Sequence, residues 1–356
     1  MGPANRSVGK KNVNGLPHIQ ALEPTAALPG GEVRIVGSAL NRLDLQRPEV
    51  RFGELAGSVV VSTSDFVIAR VPETAASGPV TISTQAGASN AEEIRIAVNI
   101  AENLHPVTNP ALDSEGNIYV TFSGSRGQKV PVSIYKIDTN YTVKPFLTEM
   151  MNATSIAFDR EGQMYVSSRN DGAVYRVARN GTMSAYAEGM GIATGIAFDR
   201  EENLYVGDRS GTIFKIGRER PPQIFVFATL DPSVSAYHLA FSPSGDLYVT
   251  GPTTSSYDAV YRIQPNGEAE VFYRGLGRPQ GIAFDEEGNL YLAASLNGKR
   301  GIVRITPDKQ AKLVVAGQNL VGIAFASGRA AILATNNAVF RLAWDVQGKV
   351  LATPEL

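Results

Sequence analysis

The side chains able to do chemistry in this chain are few, and their spacing excludes more than it allows. The 356 residues include three histidines, His18, His105 and His238, and no cysteine. No two histidines stand at zinc-ligand spacing, and the composition rules out thiolate sites, disulfides and cysteine nucleophiles. There is no Gly-x-Ser-x-Gly phrase, no P-loop and no dinucleotide fingerprint, so serine hydrolysis, phosphoryl transfer and hydride transfer lack their usual parts. What remains is a set of charged loops: FSGSRGQKVP, SSRNDG, GDRSG, TGPTTSSYD, AASLNGKRG and ATNNA. They carry Arg126, Lys129, Arg169, Arg209, Lys299 and Arg300 against Asp171, Asp208 and Asp258. Arg169 and Arg209 share a register, four residues after Tyr165 and Tyr205, and paired guanidinium groups suit a carboxylate or phosphate. Asp208 ends one strand-like run and His238 begins another, which puts both near the opening of the scaffold that carries these loops.

That scaffold is written as a repeat. GIAFDREENLYVGDRSGTIFKI (195–216) returns as SIAFDREGQMYVSSRNDGAVYRV (155–177) and GIAFDEEGNLYLAASLNGKRGIVRI (281–305). The turn after each first strand falls at Asp113, Asp159, Asp199, Ser242, Asp285 and Ala326, at intervals of 40 to 46 residues. A period of that length with only strand patterns inside it predicts four-stranded propeller blades, and six copies predict six of them. Two residues before each turn anchor stands an alanine: Ala111, Ala157, Ala197, Ala240, Ala283 and Ala324. Strand alternation sends these alanines to one blade face and their large neighbours to the other, so that adjoining blades interlock near the axis. Either 97–103 or 349–353 can supply the last outer strand. The reading favours 349–353, because Ala338–Leu342 and the turn at Gln347-Gly348 run into it without interruption.

Residues 17–98 lie outside the repeat and contain short strand-like runs at the spacing of an antiparallel β-sandwich. The phrases PHIQALEP, GGEVRIVGSAL, VRFG, ARVP and SGPVTIST resemble an IPT/TIG immunoglobulin-like domain. The repeat, through its G-I-A-F-D-x-x-G-N-L-Y-V phrase, resembles the NHL and gluconolactonase (senescence-marker) propellers. The fold class expected is therefore all-β: a tail over 1–16, a sandwich over 17–98 and a six-bladed propeller over 99–356.

The lactonase resemblance implies a divalent cation such as calcium on the axis, held by Glu, Asn and Asp just before the first strands, with a general base beside it. Carried onto this chain, those positions are Thr108, Thr154, Thr194, Tyr237, Gln280 and Val321. None is a carboxylate, whereas a hard cation is usually held by oxygens that include anionic ones. The expected function is therefore non-catalytic binding by the upper rim, without a cofactor. Its partner is a protein or a small anionic or polyol ligand, contacted by the ring residues with Arg169, Asp208, Arg209 and His238. The alternative is a metal-dependent lactone hydrolase with a remodelled site.

Bulk properties fit that picture. Lysines and arginines number 33 against 34 acids, a net charge of −1, which offers no bulk attraction to nucleic acid. No apolar run is long enough to span a membrane. The N-terminal MGPANRSVGKKNVNGLP lacks the apolar core of a signal peptide, so the chain reads as cytoplasmic, or as extracellular or periplasmic if an export signal was removed.

Overall fold

A computed structural model describes residues 15–41, 47–122, 130–219, 221–254 and 258–349. Arg126 and Lys129 of the charged loops, most of the N-terminal tail and residues 350–353 of the favoured last strand lie outside these. Among the described residues every regular element is a β-strand. The chain divides into two compact units, Met1–Ile96 and Ala97–Leu356.

In the first unit, His18–Glu23 pairs with Glu32–Ser38, which pairs with Phe66–Arg70 and so with Leu55–Ser62, all antiparallel. Glu49–Phe52 pairs with Gly78–Thr84, which pairs with Glu92–Ile96. Alternate residues are apolar and buried: Val33 and Ile35, Val50 and Phe52, Val67 and Ala69, Val80 and Ile82, Ile94 and Ile96. That period of two is what makes each run a strand with one wet and one dry face.

The second unit has a propeller-like arrangement of antiparallel four-strand ladders. Three are contiguous in sequence, running over 111–147, 153–187 and 193–229. A fourth set is His238–Phe241, Leu247–Thr250, Asp258–Ile263 and Ala269–Gly277. A fifth is Ile282–Phe284, Leu290–Leu296, Lys299–Ile305 and Ala311–Ala316, joined to the fourth through Leu276 and Leu296. The last is Leu320–Ala326, Ala330–Thr335 and Ala338–Ala343, completed by Val98–Glu102.

This completion corrects the expected closure. Val98 pairs with Arg341 and Glu102 with Ala338, so the outer strand beside Ala338–Ala343 comes from the start of the unit. The chain after Ala343 turns elsewhere: Gly348 bridges Asp285, and the Lys349 amide donates to the Phe284 carbonyl at 2.9 Å. Gly348 passes so close to Phe325 that a Cβ there would fall 1.8 Å from the ring.

The repeated phrase explains its own residues. Asp113 Oδ1 accepts from the amides of Glu115 and Asn117, and Oδ2 accepts from the Asn117 amide group and the Tyr119 hydroxyl. Asp285, Asn289 and Tyr291 repeat the Asn and Tyr contacts. The Tyr rings then stack edge-to-face on the next copy's Phe: Tyr119 on Phe158, Tyr165 on Phe198, Tyr205 on Phe241 and Tyr248 on Phe284. The alanine column interlocks in the same direction. Ala157 packs against the cluster of Ile196, and Ala197 against that of Leu239 and Phe241.

Candidate functional site

The first strands and the loops after the second strands meet on one rim, and most of the polar groups predicted to face it are already engaged. Thr108, Thr154, Thr194 and Tyr237 are at most 2% exposed. Thr108 Oγ1 donates to the Thr154 carbonyl at 2.6 Å, and Thr154 Oγ1 to the Asn152 carbonyl at 3.0 Å. Thr194 Oγ1 donates to the Gly207 carbonyl at 2.7 Å and accepts from the Tyr237 amide at 3.1 Å. The Tyr237 hydroxyl donates to the Asp231 carbonyl, and burial raises its pKa. Ser167 reaches the Thr194 carbonyl and Thr250 the Gln280 carbonyl, so the ring hydroxyls tie one ladder's backbone to the next.

These donors do not fit a hard cation. Each threonine hydroxyl points its proton at a backbone carbonyl, and Val321 supplies no oxygen from its side chain. With no carboxylate in the set, nothing balances a dication's charge.

The charged loops are similarly occupied where Arg169, Arg209 and the three aspartates stand. Arg169 donates to Asn152 Oδ1 at 3.2 Å, and Arg209 Nη2 to the Val234 carbonyl at 2.8 Å. Asp208 is buried, accepting from the Ile192 amide at 2.8 Å and from the Ser210 hydroxyl. Asp258 accepts from the Thr253 amide and hydroxyl at 2.9 and 2.8 Å. Asp171 accepts from Ser168 and Tyr175, and that bond is the main cause raising the Tyr175 hydroxyl to about 12. His238 does not face the rim; it lines the cavity inside the first strands.

Among the described residues, an open part of the rim lies over the last two ladders. A pocket of about 450 Å³ is walled by Arg278, Gln280, Ser295, Arg300, Asn319 and Asn336, with small or apolar residues between them. Among the described residues no aspartate or glutamate lines it. Among the described residues the guanidinium groups of Arg278 and Arg300 have no acid or hydrogen-bond partner, and both residues are exposed. Arg278 has φ of 46° immediately before Pro279, and Asn319 has φ of 57°. Left-handed backbone is costly for a residue with a Cβ, so the surrounding fold over-determines where these side chains start.

Sequence reading marked Gln280 and counted Arg300, but it missed Arg278, Asn319 and Asn336. A signal for Arg278 was available in the phrase GRPQG, where an arginine stands two residues before a ring position.

No protein-family model matches the sequence, and no curated protein matches it. The fold does have solved counterparts. The chain is similar to an auxiliary nutrient binding protein from Bacteroides thetaiotaomicron, with 13% identity and TM-score 0.55 over 92% of this chain and 97% of that one. It is similar to a gluconolactonase-like protein, with 17% identity and TM-score 0.56 over 71% of this chain and 93% of that one. It is also similar to a catalytically inactive virginiamycin B lyase from Staphylococcus aureus, with 16% identity and TM-score 0.51 over 85% of this chain and 97% of that one. At these identities the shared property is the fold, and the class it defines is an all-β protein with a propeller.

Proposed function

We propose that the protein is a non-catalytic binding protein whose rim pocket takes a small anionic or polyol ligand. The observation that carries this reading is the pair Arg278 and Arg300, which among the described residues have no side-chain partner, in a pocket of about 450 Å³ that no described acid lines. Guanidinium groups bind carboxylate or phosphate with two parallel hydrogen bonds, and the neighbouring amides of Gln280, Asn319 and Asn336 can donate to or accept from hydroxyls. The volume falls within the range of small-molecule sites. The ligand class moves the binding role from Arg169 and Arg209, which hold adjacent loops, to Arg278 and Arg300. The scaffold belongs to the same proposal: six blades closed by Val98–Glu102, with an immunoglobulin-like sandwich of the IPT/TIG kind in front. The auxiliary nutrient binding protein with this fold supports a binding role.

A thermal-shift titration tests it. Citrate, phosphate or a sugar acid should raise the melting temperature saturably, and Arg278→Ala with Arg300→Ala should abolish the shift. At 100 times Kd a ligand adds about 2.7 kcal/mol, which is readily seen. Arg169→Ala with Arg209→Ala should leave the ligand-induced shift in place. Millimolar Ca²⁺ should leave the melt unchanged; a saturable calcium shift would instead favour the lactone hydrolase, which the ring threonines disfavour.

A further inference from the structure

A second cavity, distinct from the rim pocket, lies inside the first strands. It has a volume of about 120 Å³ and is walled by the six column alanines and the large residues beside them. At the end where the strands begin, Asn109 closes it, donating to the Ile282 carbonyl at 2.8 Å and accepting from the Ile323 amide at 3.1 Å. Glycine is required beneath that crossing, since a Cβ on Gly281 would lie 1.9 Å from Asn109 Oδ1.

Four polar residues stand in this wall, Asn109, Ser155, His238 and Lys349, and two of them, the buried His238 and the half-buried Lys349, face the cavity with unmet bonding or charge. His238 is 4% exposed, and its ring has no hydrogen-bond partner among the described residues. Buried polar side chains are mostly hydrogen-bonded, and this ring, which lines the cavity, is left to find its partner there. At the far end Lys349 Nζ donates to the carbonyls of Phe241 and Ser242 at 3.2 and 3.4 Å. An ammonium has three donors, and neutral carbonyls do not balance its charge. Among the described residues no carboxylate pairs with it. Asp285, whose backbone bridges Gly348, has its carboxylate taken by Asn289 and Tyr291. Burial, and after it Arg200, lowers the Lys349 pKa, as expected of a cation without a counter-charge.

We propose that this axial cavity binds a short monocarboxylate bearing a hydroxyl or carbonyl at its far end. The carboxylate supplies the missing charge at Lys349, the alkyl segment lies among the alanines, and the far oxygen pairs with the His238 ring. A cavity of about 150 Å³ holds benzene, so one slightly smaller, about 120 Å³, suits an alkyl segment of three or four carbons whose carboxylate sits at the Lys349 end. This site uses no residue of the rim pocket, and either can fail without the other.

Isothermal titration of the full chain with 4-hydroxybutyrate, butyrate and 4-hydroxybutyramide tests the assignment at constant ionic strength. The expected order is 4-hydroxybutyrate tightest, butyrate weaker by tenfold or more, and the uncharged amide without saturable binding. Lys349→Gln should weaken both acids at least tenfold, and His238→Phe should erase the preference for the hydroxyl. Should either variant fail to fold, the native chain still decides through chain length. Affinity should rise about fourfold per methylene from acetate to butyrate, and octanoate should not fit. Absence of saturable binding, equal binding of the amide, equal affinity for butyrate and 4-hydroxybutyrate, or no chain-length optimum would each overturn the proposal.

Discussion

At the residue scale, His238 shows how burial alone sets a chemical property. Burial pushes its imidazole down to about 3 from 6.5. Between those values the unfolded chain binds a proton that the folded chain refuses. The stability that neutral His238 contributes is therefore complete above about pH 6.5 and is lost as pH falls toward 3. The slope for one proton is about 1.4 kcal/mol per pH unit. Glu202 acts in the opposite sense, because burial chiefly raises its carboxyl and makes the folded chain the better proton acceptor. Urea melts of native protein and His238→Gln between pH 7 and 5 separate the two. Between pH 7 and 5 the native stability should fall by about 2 kcal/mol more than the variant's, the slope approaching about 1.4 kcal/mol per unit toward the acid end; parallel profiles would refute the burial account. The sequence reading put His238 near the rim opening, and the structure has it at the start of His238–Phe241, lining the inner cavity.

At the scale of the strand and the ladder, most of the architecture was legible because three of the copies, at Asp113, Asp199 and Asp285, repeat a closed local circuit. The aspartate at the turn, the Asn four residues on and the Tyr six residues on bind one another, so the phrase can be read within seven residues. The alanine column was legible for the same reason, and it makes a quantitative prediction. Ala197→Leu should overpack the contact with Leu239 and Phe241 and cost about 1–3 kcal/mol in a denaturant melt. Ala185→Leu, on an exposed face of Met183–Ala187, is the control and should change stability little. Equal effects at the two sites would remove the column from the interlock. Closure was not legible, because its partner strands stand at opposite ends of the unit. Both 97–103 and 349–353 carry a strand pattern, and pattern alone does not state which edge a strand will meet. In the structure Gly348 lies against Phe325 and the Lys349 amide bonds the Phe284 carbonyl.

At the scale of the whole molecule, the unit boundary and the closure make one joint prediction. The division falls between Ile96 and Ala97, immediately before the strand that completes the last ladder. A fragment beginning at Ala97 keeps every pairing of the second unit, including Asn99 with Phe340 and Ala101 with Val339. A fragment beginning at Leu104 leaves Ala338–Ala343 with an unpaired edge, which invites both fraying and association with other chains. It also uncovers part of the cluster formed by Ala101, Leu104, Val120 and Val339. The Ala97 fragment should therefore melt cooperatively within a few degrees of the same transition in the full chain. The Leu104 fragment should melt at least ~10 °C lower, a shift that corresponds to several kcal/mol for a unit of this size. Amide exchange adds a local check: protection at Val339 and Arg341 should be lost in the shorter fragment while Ile213 and Phe214 remain protected. Equal melting of the two fragments would show that Val98–Glu102 is dispensable and that the ring closes without it.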